Sequence, residues 1–173
     1  MKNLLIAILS IFITTNILAQ SDPDMILLHT GERLAVHISN VSERTVTFKY
    51  PEENIQYTKS KNSIDQIVFA SGRKTEGSEK VKISGEQDWY KVIITNNPDD
   101  IEGLSKKGEL YVKSTATTVF SGAQKIDEKA TKKIKQKAAE LGAHIVYVHT
   151  QTNDRGIRRV NRSIKSGIAY GYQ

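Results

Sequence analysis

Residues 128–148 read EKATKKIKQKAAELGAHIVYV, a lysine-rich segment that runs directly into an apolar one. Counting from just upstream, apolar side chains recur at intervals of four, four, four and three: Ile126, Ala130, Ile134, Ala138 and Leu141. This spacing places them on one face of an α-helix. The pattern therefore predicts a helix over about residues 123–141 that packs on a sheet. Gly142 ends this helix, and AHIVYVHT (residues 143–150) predicts the next strand.

The lysines of this helix fall at the remaining angles: Lys129, Lys132, Lys133, Lys135 and Lys137. This placement predicts the solvent-facing side of a packed amphipathic helix. The alternative interpretation is a surface that binds an anionic lipid or glycan. A second basic cluster in the last loop favours it and supplies the candidate anion-binding residues: Arg155, Arg158, Arg159, Arg162 and Lys165. No aromatic residue interleaves with these arginines, which argues against a single-stranded nucleic acid.

From residue 88 onward, strands and helices alternate. WYKVIIT predicts a strand, NNPDDIEGL a short helix with Asn97 as its N-cap, and GELYVKSTAT another strand. The long helix, AHIVYVHT and SIKSGIAYGY follow. The predicted order is β-α-β-α-β-β, with the helices on one face of a small sheet.

Before residue 70 the hydrophobic pattern has a period of two. Leu34, Val36 and Ile38 alternate with more polar residues, and so do Val46, Phe48 and Tyr50. Such alternation predicts half-buried antiparallel strands, and Thr30 with Gly31 predicts a tight turn between the first two. We expect a small antiparallel meander or an SH3-like barrel here.

The segment SGRKTEGSEKVKISGEQ, residues 71–87, is rich in Gly, Ser, Lys and Glu, a composition typical of linkers. The sequence therefore predicts an α+β protein with a small all-β domain over residues 22–70, a linker over 71–87 and an α+β domain over 88–173.

The first residues, MKNLLIAILSIFITTNILA (1–19), have the basic start, apolar core and small-residue end of a secretory signal. We expect cleavage near Ala19 and Gln20. An uncleaved membrane anchor is the alternative, but polar residues interrupt the short apolar run. The chain has no cysteine, so it offers no thiol for acylation, disulfides or metal binding. These features predict a periplasmic or secreted protein.

The formal charge of +6 falls by the one charge of Lys2, 6 − 1 = +5, when the predicted signal is removed. This moderate excess suits weak attraction to anionic envelope surfaces. An exported protein rarely meets nucleic acid, and no nucleic-acid partner is predicted.

The sequence contains no recognisable catalytic or metal-binding motif. His144 and His149 are five residues apart on one predicted strand, so they point to opposite faces. We therefore predict no catalytic residue, metal ligand or cofactor. Trp89 and Tyr90, which open the second domain, are candidate partner-contact residues.

IEGLSKKGELYVKS (101–114) and KATKKIKQKAAELGAHIVYV (129–148) resemble the exported domain of the RcsF-like stress-sensor family and its relatives, the YbjQ-like heavy-metal-binding domains. The likeness covers roughly residues 90–172. Its hallmark is a set of small residues at the helix–strand corner: Ala138, Ala139, Gly142 and Ala143. The resemblance implies the fold but not the metal, because the sensor has a lipid anchor and cysteine bridges that this chain lacks. The first half resembles small β-domains of exported bacterial proteins of unknown function.

Together these observations predict an exported, non-enzymatic binding or sensing module of the bacterial cell envelope that acts through contact with another envelope protein. Binding of an anionic lipid or glycan is the second hypothesis. A metal-binding protein or a hydrolase is the third.

Overall fold

The computed structural model describes residues 22–118, 122–155 and 161–172, so the predicted signal segment 1–19 lies outside the described residues. Six strands form the first sheet: β1 (Asp24–Leu28), β2 (Arg33–Val41), β3 (Thr45–Lys49), β4 (Tyr57–Ser60), β5 (Ile64–Val68) and β6 (Lys74–Glu76). The second sheet and its helix comprise β7 (Ile93–Thr95), β8 (Ser105–Thr115), α1 (Ala123–Glu140), β9 (Ile145–Arg155) and β10 (Asn161–Gly171). Within the described ranges, no helix is both long and apolar enough to cross a membrane.

The first sheet is antiparallel throughout, in the order β4-β3-β2-β1-β5-β6. The alternation in β2 and β3 is confirmed, because Leu34, Val36, Val46 and Phe48 are buried in its core. Strands β1 to β4 form the expected meander. The SH3-like barrel was wrong: β4 and β6 lie at opposite edges of the sheet and do not pair, so the sheet stays open.

The first part of the predicted linker, residues 71–87, belongs to this sheet. Lys74–Glu76 pairs with β5 as strand β6. The amide of Gly77 then donates to the Asp65 carbonyl at 2.9 Å, and a Cβ on Gly77 would lie 2.1 Å from the Ile64 carbonyl oxygen. The open edge of β5 supplies hydrogen-bond partners that composition cannot reveal. The division into two domains stays a prediction.

The second sheet has the order β7-β9-β10-β8; β7 runs parallel to β9 and the other pairs are antiparallel. Helix α1 packs on one face of the sheet, and Ala130, Ile134 and Ala138 are buried as predicted. Leu141, expected in the same stripe, is exposed because α1 has already ended at Glu140. The α+β fold class is confirmed.

Two predicted elements of the second half were wrong. NNPDDIEGL forms a three-residue 3₁₀-helix, Pro98–Asp100, with Asn97 as the expected N-cap, and Gly103 at φ 76° then turns the chain away. Most of WYKVIIT is also not a strand, because Glu86–Lys91 is a 3₁₀-helix. Packing of Trp89 on the core outweighs the strand preference of the aromatic residues and leaves only Ile93–Thr95 as β7.

Candidate functional site

Asp100 holds the two sheets together. Its carboxylate accepts hydrogen bonds from the Arg44 guanidinium at 2.8 and 3.0 Å and from the Thr95 hydroxyl. Its backbone carbonyl accepts one from the Asn62 amide at 2.9 Å. The hydrogen bond with Asp100 raises the pKa of Arg44. Arg44, from the first sheet, is thereby fixed beside the second.

An open groove lies next to this ion pair. It has a volume of about 630 Å³ and is lined by Arg44 and Asp100, by Ile93–Thr95 with Asn96, and by residues 148–151 of β9. Its walls therefore come from both sheets. Polar groups and apolar side chains both face it, which suits a peptide better than a purely apolar ligand.

Strand β9 has an open edge along this groove. Strand β7 ends at Thr95, opposite Tyr147, whereas β9 continues to Arg155. No strand in the described parts of the chain pairs with residues 148–155 on that side. This stretch is about 26 Å long at 3.3 Å per residue. Backbone groups along it can pair with an additional strand.

The two edges of the second sheet differ in charge. Residues 149–153 of β9 read HTQTN, with no Lys, Arg, Asp or Glu. The opposite edge, β8, carries Lys106, Lys107, Glu109 and Lys113. In addition, the Lys137 ammonium donates to the Tyr111 carbonyl at 3.3 Å. Charges of this kind protect sheet edges from unwanted pairing. Strand β8 is therefore protected, whereas residues 149–153 of β9 are not.

Ile93 gives the groove an exposed apolar contact. It is 47 % exposed, although its register partner Ile145 is fully buried. Val148, which also lines the groove, packs against the core of the second sheet. Because the side chains of a strand point alternately to its two faces, one side chain of a bound strand can cover Ile93.

The predicted anion-binding cluster is only partly described. Arg158 and Arg159 lie outside the described residues, as does the side chain of Arg155. Arg162 donates two hydrogen bonds to the Asp154 carboxylate, at 2.8 and 2.6 Å. Lys165 is 3 % exposed, and its ammonium lies 2.9 Å from the Asp127 carboxylate under α1. Arg162 and Lys165 thus each have a carboxylate partner, and anion binding stays a prediction.

Lys165 and Asp127 form part of a buried polar cluster. Burial raises the pKa of Asp127, but hydrogen bonds from Lys165 and Ser163 outweigh it and hold that pKa below its usual range. The Ser163 hydroxyl donates to Asp127 at 2.8 Å. These contacts tie the N-terminal part of α1 to β10 and explain why a lysine is tolerated in the interior.

The aromatic pair lies away from the groove. Trp89 is partly buried against the second core, with the Lys132 ammonium 5.0 Å from its ring centroid. Tyr90 is exposed, and the two rings are 6.5 Å apart. Neither residue lines the groove. Their role as partner contacts stays a prediction.

The histidines separate into two environments. His37 is exposed, and His149 lines the groove. His29 and His144 are buried and contact the ring of Tyr172. Among the described residues, no three His, Asp or Glu side chains are grouped so that they could hold a metal ion.

No sequence motif indicates the groove. Arg44 and Asp100 are 56 positions apart and show no common motif. One usable signal was present: the uncharged stretch HTQTN (149–153) continues past residue 150, where the predicted strand ended.

No model of a protein family, no curated protein and no solved structure matches this chain. The resemblance to the RcsF-like and YbjQ-like proteins therefore stays a prediction.

Proposed function

We propose that this protein is an exported, non-enzymatic binding module of the bacterial envelope, which recognises another protein by accepting one of its extended segments as a strand beside β9. The observation that carries the proposal is the edge of β9 that no described strand pairs with, uncharged over residues 149–153, next to an open groove.

Strand addition fits the chemistry of this groove. Main-chain hydrogen bonds along an edge give affinity, and side chains at every second position of the added strand give specificity. Residues 148–155 offer space for a segment of about four to eight residues at ordinary strand spacing. Ile93 would be covered by one of its apolar side chains, and the fixed Arg44 and Asp100 would mark one end of the groove.

The direct test uses twelve-residue random peptides displayed on phage and selected on the full processed chain. A selected peptide should slow amide hydrogen exchange in residues 148–153. Proline scanning of that peptide should abolish binding at every second position, because the amides that point toward β9 alternate along a strand. Strand addition would be contradicted if no peptide were selected, or if proline weakened binding equally at successive positions of the peptide.

Two exposed isoleucines provide a matched pair of variants. Ile93→Lys should weaken peptide binding about tenfold, since burying a partly exposed isoleucine contributes about 1.5 kcal/mol. Ile55→Lys makes the same change at a 61 % exposed isoleucine that does not line the groove, and should leave binding unchanged. Equal effects of the two substitutions would place the binding surface elsewhere.

The envelope role is tested separately in cells that express the protein. A photocrosslinking residue at Thr150, in the groove, should yield an adduct of one defined mass, and the adduct should disappear in the Ile93→Lys background. The same residue at Thr58, on β4, should yield none. Adducts of the same masses from both positions, or none from Thr150, would count against the proposed partner.

A further inference from the structure

Three rings meet where the two sheets join. The His144 ring stacks on the Tyr172 ring, with centroids 4.1 Å apart and an interplanar angle of 25°. The His29 ring contacts the same tyrosine edge-on, at 5.1 Å and 61°. The hydroxyl of Tyr172 accepts a hydrogen bond from the Val81 amide at 3.0 Å.

The rings belong to distant parts of the chain. His29 follows β1 of the first sheet, His144 precedes β9, and Tyr172 follows β10. Val81 lies in the segment between the sheets. The cluster therefore connects the first sheet, the intervening segment and the second sheet through one tyrosine side chain.

The cluster has no place for an additional proton. His29 and His144 are 4 % and 2 % exposed. His29 Nε2 hydrogen-bonds with the Ser78 hydroxyl at 3.0 Å, but His29 Nδ1 and His144 Nε2 are buried and have no hydrogen-bond partner among the described residues. A proton added at either nitrogen would create a buried charged donor with no acceptor in hydrogen-bonding distance.

The neighbouring charges mostly oppose protonation. Burial, together with the nearby His29 and Lys107, lowers the pKa of His144 to about 4. Burial also lowers the pKa of His29; Asp65, 3.8 Å from Nδ1, partly opposes this effect, and Lys80 adds to it. The ammonium of Lys80 is bound to the His29 carbonyl and lies 5.9 Å from the Tyr172 ring centroid.

We propose that His29, Tyr172 and His144 form a proton-operated latch between the two sheets, closed while both histidines are neutral and released when they are protonated. Release frees Tyr172 and lets the first sheet pivot about the contacts that Arg44 and Asn62 make with Asp100. The latch does not depend on strand addition, and its test uses no binding partner.

The absence of cysteine allows two labels to be placed at will. Arg33→Cys on β2 and Lys129→Cys on α1, both exposed, would carry spin labels in the full processed chain. The distance between the labels should be narrow at pH 7.5, and longer and broader at pH 4.5. His29→Gln with His144→Phe, which keep a hydrogen-bonding group and a stacking ring, should remain closed at both pH values.

Two further variants make the outcome decisive. His37→Gln, at an exposed histidine, should open like the parent, and Tyr172→Ala should already be open at pH 7.5. If the double variant does not fold by circular dichroism, His144→Phe alone should lower the opening midpoint by at least about half a pH unit. An unchanged distance in the parent between the two pH values would overturn the latch. Identical opening of the parent and the variants at His29 and His144 would do the same.

Discussion

Replacing His144 with phenylalanine should reduce the acid sensitivity of the folded chain. The aromatic ring keeps its stack on Tyr172, and the buried nitrogens are lost, including the Nε2 for which no described residue is a partner. At pH 7.5 we therefore expect the variant to be as stable as the parent, or more stable by about 1 kcal/mol.

The size of the effect follows from the pKa of His144, which is 6.5 for the ordinary side chain and about 4 in the folded protein. Above pH 6.5 the ring is neutral in both states, and its stabilising effect on the fold is fully present. As the pH falls below 6.5, only the unfolded chain takes up the proton, so the free energy of unfolding decreases until the pH reaches about 4. The loss is about 2 kcal/mol at pH 5 and about 3 kcal/mol at pH 4.

Urea unfolding followed by the fluorescence of Trp89, the single tryptophan, measures this loss. The comparison between pH 7.5 and pH 5 is the most informative, because ordinary carboxylates are still mainly ionised at pH 5. The parent should lose about 2 kcal/mol more than His144→Phe over this interval. His37→Phe, at an exposed histidine, should behave like the parent. Equal losses in the parent and His144→Phe would refute the reasoning.

Two further predictions concern the second sheet and are measured by the same urea unfolding. Gly167→Ala should cost about 2 kcal/mol, because the new Cβ would lie 2.4 Å from the Tyr147 carbonyl oxygen. Its control, Gly108→Ala, meets only the end of a flexible side chain and should change the stability by less than about 0.5 kcal/mol. A loss from Gly167→Ala as small as that from Gly108→Ala would show that the sheet adjusts to the new Cβ. Asp127→Asn should cost about 3 kcal/mol, because it leaves the buried Lys165 charge unpaired, and adding Lys165→Met should recover most of the loss. An Asp127→Asn variant as stable as the parent would contradict the pairing of Asp127 with Lys165.

Sequence predicted the elements whose burial pattern is local. The alternation of Leu34 with Val36 and of Val46 with Phe48 gave two strands of the first sheet, and the stripe through Ile134 gave α1. It failed where contacts distant in sequence decide the outcome. Trp89 lies in a 3₁₀-helix because it packs on the second core.

The candidate site was not predictable for the same reason. The sequence suggested Lys165 and Arg162 as anion-binding residues, but each has a carboxylate partner that the fold supplies. The groove exists because β7 ends early while β9 continues, and the length of a strand depends on the neighbour with which it pairs. No pattern within either segment contains that information.

The sequence by itself determined the fold class, since burying one face of each segment fixes a period of about 3.6 in the helix and of two in the strands. Only the tertiary structure decided which edges remain open and which side chains meet. His29, His144 and Tyr172 come together because three strand ends converge, and the free edge of β9 arises from pairing between segments about 50 residues apart. Local periodicity records how much of a segment is buried, whereas the identity of its neighbours depends on the whole chain.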